Sequence, residues 1–201
     1  MKLLICLFLF LNTSFNFDYK KREIPYSIII SKADLIVDGT IYKVSKNTYQ
    51  FKISQTVKGK SNSIIEVKIW KEWLCDPRVI ELKAGQRLIL FLEKTPYGNF
   101  EPINDSTGEL YVEKDTFVDM FTPKEFTNPT VLKEGTSMFL RTYRFHGDFN
   151  DRFFENIYFE SNKSIFEICK MKEENTFFKF LVDYNIGSSK VKYPSTPQFI
   201  N

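Results

Sequence analysis

The segment ADLIVDGTIYKV, residues 33–44, opens the run of sequence that decides the fold. It is rich in Val, Ile and Tyr and carries a central Gly39, where a bulge or a tight bend fits. TYQFKISQTV (48–57) then alternates, with Tyr49, Phe51, Ile53 and Val57 on one face and Gln50, Lys52 and Ser54 on the other. A period of two is the mark of a half-buried strand. After the polar turn at Lys58–Asn62, IIEVKIW (64–70) points Ile65, Val67 and Ile69 inward. RLILFLE (87–93) is apolar almost without interruption, which predicts the most buried strand. Turn residues at Pro96–Asn99 lead to Phe100 and Ile103, and a second turn, Asn104–Gly108, leads to Leu110–Val112.

Working outward, EIPYSIIISKA (23–33) is compatible with a short helix or a strand, and Pro25 suits a first helical turn. Met1-Lys2, the apolar run Leu3–Leu11 and the polar Asn12-Thr13-Ser14 match a secretory signal peptide, so residues 1–17 are set outside the fold. Beyond about Thr122 the period changes. Asn128 is a good N-cap with Pro129 in the first turn, and Val131, Leu132, Gly135, Met138, Phe139 and Tyr143 recur at helical spacing. This helix is expected to run through Arg141 and Arg144 to a stop at Gly147, and a second to cover Lys172–Asn185. Residues 157–159 and 164–169 read as short strands, and the tail 188–201 as loose or extended. The expected architecture is α+β: an OB-type closed barrel over 18–121 and a helical C-terminal extension over 122–187 packed on it.

The order of signals over residues 33–112 resembles the NTR or tissue-inhibitor-of-metalloproteinase-like modules, OB-type barrels also found in secreted bacterial proteins. The matching pieces are ADLIVDGTIYKV, the strand ending in TVKGK, IIEVKIW, the loop Cys75 before AGQRLILFL, and NDSTGEL. The resemblance implies a fold and a secreted habit. The animal inhibitors act through an amino-terminal Cys-x-Cys, and no Cys lies between residues 7 and 74 here, so that mechanism does not carry over.

Composition narrows the chemistry further. The 28 Lys+Arg and 25 Asp+Glu are interspersed without the basic stripe that phosphate neutralisation needs, which argues against nucleic-acid binding. A single His excludes a His-rich metal site, and no P-loop, G-x-G-x-x-G, G-x-S-x-G or C-x-x-C is present. HGDFND (146–151) fails as a calcium loop because Arg152 and Phe153 stand where a ligand and Gly are required. Neither a cofactor nor a metal is expected, and no segment after the leader is long and apolar enough for a transmembrane helix. Asn104-Asp-Ser106 and Asn162-Lys-Ser164 are glycosylation sequons, relevant where the host glycosylates. Cys75 and Cys169 leave two readings: one disulfide, for which chain entropy predicts roughly 4–5 kcal/mol, or two separate buried thiols.

The residues left as site candidates lie on loops. Trp70, Trp73 and Asp76, in or beside the long connection 71–87, suit a recognition surface for a protein or glycan partner at the cell surface. Asp105 and Glu109 extend that ligand-binding set, and they are also the pair a secreted hydrolase would use. The leading expectation is a secreted or cell-envelope binding module without enzymatic activity. A hydrolase or a purely structural envelope protein are the alternatives.

Overall fold

A computed structural model of the 201-residue chain describes residues 21–117, 128–151, 153–186 and 190–194. The expected leader, residues 1–17, lies outside them. Helix α1 (Tyr26–Lys32) is followed by strands β1 (Leu35–Val44), β2 (Thr48–Lys58), β3 (Ile64–Lys68), β4 (Arg87–Lys94) and β5 (Phe100–Pro102). A 3-10 turn at Asp105–Gly108 leads to β6 (Glu109–Glu113) and β7 (Thr116–Phe117). Then come α2 (Pro129–Thr142), β8 (Tyr143–His146), β9 (Tyr158–Ser161), α3 (Ile165–Glu174) and α4 (Thr176–Phe180). A wider helical turn, Leu181–Ile186, and β10 (Val191–Lys192) complete the described chain.

Five strands close into a mixed barrel in the order β1-β2-β3-β5-β4, with β4 returning to β1 along Arg87–Leu92. The β3–β5 contact is parallel and the other barrel pairings are antiparallel. Gly39 sits at a register shift in β1, as its central position in the strand suggested. A methyl group there would overlap the Lys52 carbonyl oxygen and come within 2.9 Å of Phe51 Cε1, so glycine lets β1 and β2 bend together.

Strand parity divides the apolar residues between two cores. Leu35, Val37, Tyr49, Phe51, Val67, Leu88, Leu90, Leu92 and Tyr111 fill the barrel. Ile36, Ile89, Phe91, Leu110 and Val112 face outward and are covered by α1, α2 and α4 through Ile29, Leu132, Phe139, Phe177 and Phe178. β4 is therefore buried on both faces, which is why its sequence is a continuous apolar run. Gly135 brings α2 and α4 into backbone contact, because a Cβ at that position would overlap Asn175 Oδ1 and approach Phe178 N to 2.8 Å.

The C-terminal half departs from the periodicity reading in three places. The N-cap stands where expected, with Asn128 Oδ1 accepting from Val131 N at 2.9 Å and Pro129 opening α2. The helix nevertheless ends at Thr142, and Tyr143–His146 form β8, since a ladder to β9 and burial of Tyr143 against Phe159 replace the last helical turn. Residues 164–169 are not a strand. Ser164 and Glu167 make a reciprocal capping box that starts α3. The expected helix 172–185 is interrupted at Asn175, whose side chain caps α4 by accepting from Phe178 N at 2.8 Å and donates to the Val131 carbonyl of α2 at 3.0 Å. Within the tail, Val191–Lys192 pair in parallel with β9. Among the described residues no helix is long and apolar enough to cross a membrane.

Candidate functional site

Inward parity on β6 carries a charge into the barrel. Glu109 shares its face with Tyr111, and its side chain has no exposed surface. An isolated carboxylate there would be costly, so the barrel end is built to satisfy it. Tyr49 Oη donates to Glu109 Oε2 at 2.9 Å, while Trp70 Nε1 and Tyr111 Oη each donate to Oε1 at 3.1 Å. Arg78 Nη1 pairs with Oε1 and also donates to Tyr111 Oη at 3.0 Å. Its guanidinium lies over the Trp70 ring, 4.1 Å from the centroid. Burial and the adjacent Glu109 charge push the Tyr49 phenol well above its ordinary pKa, so it remains a donor.

A second buried carboxylate pins the same loop. Asp76 Oδ2 accepts from Lys21 Nζ at 2.7 Å and from Ser106 N at 3.3 Å, and Lys21 also reaches Ser106 Oγ at 2.7 Å. These bonds tie the connection after β3 to the turn before β6. That turn is sharp: Asn104 and Asp105 both take left-handed conformations, with φ of 56° and 57°. Asn and Asp adopt this region more readily than other residues with a side chain.

Between the two anchors the loop makes a narrow turn. Trp73 and Asp76 exchange backbone hydrogen bonds of 3.3 and 3.0 Å, which sets Leu74 and Cys75 at its tip. Leu74 is 90% exposed and Trp73 38% exposed. Farther along, Ile80 and Leu82 pack back onto the barrel core.

The structure thus divides the five residues singled out from sequence. Trp73 is presented to solvent beside Leu74, whereas Trp70, Asp76 and Glu109 are buried and bonded internally. Asp105 is half-buried and lines a surface cleft with Lys68, Lys71 and Glu101. Burial first, and then the Asp76 charge, raise its carboxyl above the ordinary range. Glu109 does not line that cleft, and its oxygens are occupied by four side chains. The two carboxylates are therefore not set in one concave site, as an acid–base pair requires.

No protein-family model, curated protein or solved structure matches the chain.

Arg78, Tyr49 and Lys21 are the participants that sequence reasoning missed. Arg78 follows Pro77 in an aperiodic stretch, and Tyr49 reads as an ordinary core aromatic. No local signal marks Glu109 either: alternation in ELYVE sets it with Tyr111 and Glu113, opposite Leu110 and Val112, which reads as the polar face of the strand.

The disulfide expectation is corrected: Cys75 and Cys169 are both free thiols. The alternative of two buried thiols also needs correction, since Cys75 is half-buried in the loop and Cys169 is exposed on α3. Among the described residues no group of three or more His, Cys, Asp or Glu is placed to hold a metal ion.

Proposed function

We propose that this protein is a secreted or envelope-facing recognition module without enzymatic activity, which binds a protein partner through the loop at the Glu109 end of the barrel. One observation carries the reading. An exposed apolar pair, Trp73 and Leu74, tops a loop whose base is fastened by two ion pairs on buried carboxylates, Arg78–Glu109 and Lys21–Asp76. Loops ordered before binding lose less entropy on association, and exposed aromatics backed by rigid scaffold are the usual anchors of interfaces. Trp70, Asp76 and Glu109 are positioning residues in this reading, with Trp73 and Leu74 making contact. The barrel order, with β3 parallel to β5 and β4 closing on β1, supports the OB-type and NTR-like kinship.

The test compares wild type with Trp73→Ala and Leu74→Ser in crosslinking capture on the envelope of the cell that produces the protein. Leu74→Ser is expected to keep wild-type stability within about 1 kcal/mol, because Leu74 is 90% exposed; Trp73 is partly covered, so circular dichroism checks that Trp73→Ala keeps the fold. A partner held by wild type and lost in both supports the proposal. Capture that is unchanged in the folded variants refutes it.

A further inference from the structure

We propose that the outer edge of β3 is a strand-addition site for an extended, acidic segment of another protein. β2 covers one edge of β3 along its whole length, pairing Thr48–Lys52 with Ile64–Lys68. On the other edge a single pair, Val67 with Phe100, joins β3 to β5. Before that pair the two chains diverge, and the gap between them is a cleft walled by Lys60, Ile64 and Glu66 on one side and by Lys94 and Tyr97 on the other.

Backbone N–H and C=O groups alternate between the two edges of a strand. Those of Ile64–Glu66 that point away from β2 have no strand opposite them among the described residues. An extended chain is the ligand whose own backbone satisfies such a row, which is the basis of recognition by strand addition. The side chains around the gap select among extended chains. Ile64 is 43% and Tyr97 94% exposed, offering apolar contact to alternate residues of an added strand. Lys60 and Lys94 are both exposed and make no ion pair among the described residues. Glu66 accepts from the Thr48 hydroxyl at 2.7 Å and keeps its negative charge. Lys60 and Lys94 against Glu66 leave the cleft lining with a net charge of +1, and carboxylates at the ends of the incoming segment complement the two lysines. This surface shares no residue with the Trp73–Leu74 tip, so the proposal stands independently of the one above.

The probe is a peptide of alternating valine and threonine with paired aspartates at each end, added to the isotope-labelled full chain. Expected are slower amide hydrogen exchange and chemical-shift changes confined to Ile64–Glu66 and the facing Lys94–Phe100 segment. Reversing the two cations, Lys60→Glu with Lys94→Glu, is expected to weaken binding about tenfold. A peptide ending in lysines should then regain affinity for that variant. Both substitutions lie on exposed side chains, and circular dichroism checks that the fold is kept. Three results overturn the proposal. One is no protection at the β3 edge, and another is affinity indifferent to the charge reversal, which leaves the lysines as guards against edge pairing. The third is protection that rises with protein concentration in the absence of peptide, which makes a second copy of this chain the occupant.

Discussion

Arg78 pairs with Glu109 inside the end of the barrel, and the two side chains are 5% and 0% exposed. Arg78 belongs to the irregular loop after β3 and Glu109 to the first residue of β6, so this one contact fastens the loop to the sheet. Removing one member of a buried pair leaves the other charge uncompensated, at a cost of about 3–5 kcal/mol. Arg78→Met is therefore expected to lower stability by about that amount in urea unfolding. The double variant Arg78→Met with Glu109→Gln should recover part of the loss, because the amide oxygen still accepts from Tyr49, Trp70 or Tyr111 without a net charge. A double variant no better than the single one would show that charge compensation is not the governing factor.

Asp38 plays the corresponding role between barrel and helices. Its carboxylate accepts from Arg87 Nε and Nη2 at 3.0 and 2.9 Å and from Lys133 Nζ of α2 at 2.6 Å. Burial raises its pKa, but the hydrogen bonds and charges of Arg87 and Lys133 outweigh burial and hold it below the ordinary value of 3.8. A carboxyl with a depressed folded pKa contributes stability above its unfolded value, and that contribution is lost as pH falls through the folded one. Unfolding free energy is thus expected to decline below about pH 3.8 more steeply in wild type than in Asp38→Asn. At pH 7 the substitution should cost about 1.5–3 kcal/mol, the range for charge-assisted hydrogen bonds.

Asp105 should behave in the opposite sense. Its folded pKa is raised by burial and by Asp76, so ionisation above the unfolded value of 3.8 works against the fold. Asp105→Asn is expected to be more stable than wild type at neutral pH. The advantage should shrink on acidification and vanish below about pH 3.8. Thermal melts of both proteins between pH 3 and 7 check this, and an Asn variant less stable at pH 7 contradicts it.

Gly135 offers a test of helix packing against helix propensity. In an exposed helix, Gly→Ala gains about 1 kcal/mol. Here the added methyl meets Asn175 Oδ1, Phe178 N and Phe177 Cδ1, and two of those contacts belong to the cap that starts α4. Gly135→Ala is therefore expected to destabilise by about 1–3 kcal/mol, as overpacking does. Crystals or solution spectra of the variant should place the change at the α2–α4 contact.

The two thiols give a simple chemical check. Cys169 is exposed and Cys75 half-buried, so a thiol reagent should modify Cys169 first in the native protein, and both after unfolding. Identical migration with and without reductant is expected for the monomer.

The barrel was legible along the chain because its information is local. Alternation in 48–57, the apolar run 87–93 and the turn residues at 96–99 and 104–108 each report which side of a strand faces a core, and that side is set by a period of two. The α2 cap was legible for the same reason, since Asn128 and Pro129 act on the turn they begin. The C-terminal half was less so. Tyr143 fits a helical stripe as well as a strand, and pairing with β9 decides between them through contacts distant in sequence. Ser164-x-x-Glu167 was a local helix signal that the apolar spacing of 164–169 obscured. The candidate site was the least legible part. Trp70, Asp76 and Glu109 stood out by residue type, yet their roles depend on which cations reach them, and Arg78 and Lys21 arrive from an irregular loop and from the segment before α1. Burial of a charge is a property of the closed barrel, not of any stretch of its sequence. The exposure of Trp73 and Leu74 follows from it: Trp70, bonded to Glu109, holds the loop down before the tip, Asp76 and Arg78 hold it down after, and the turn between is left standing in solvent.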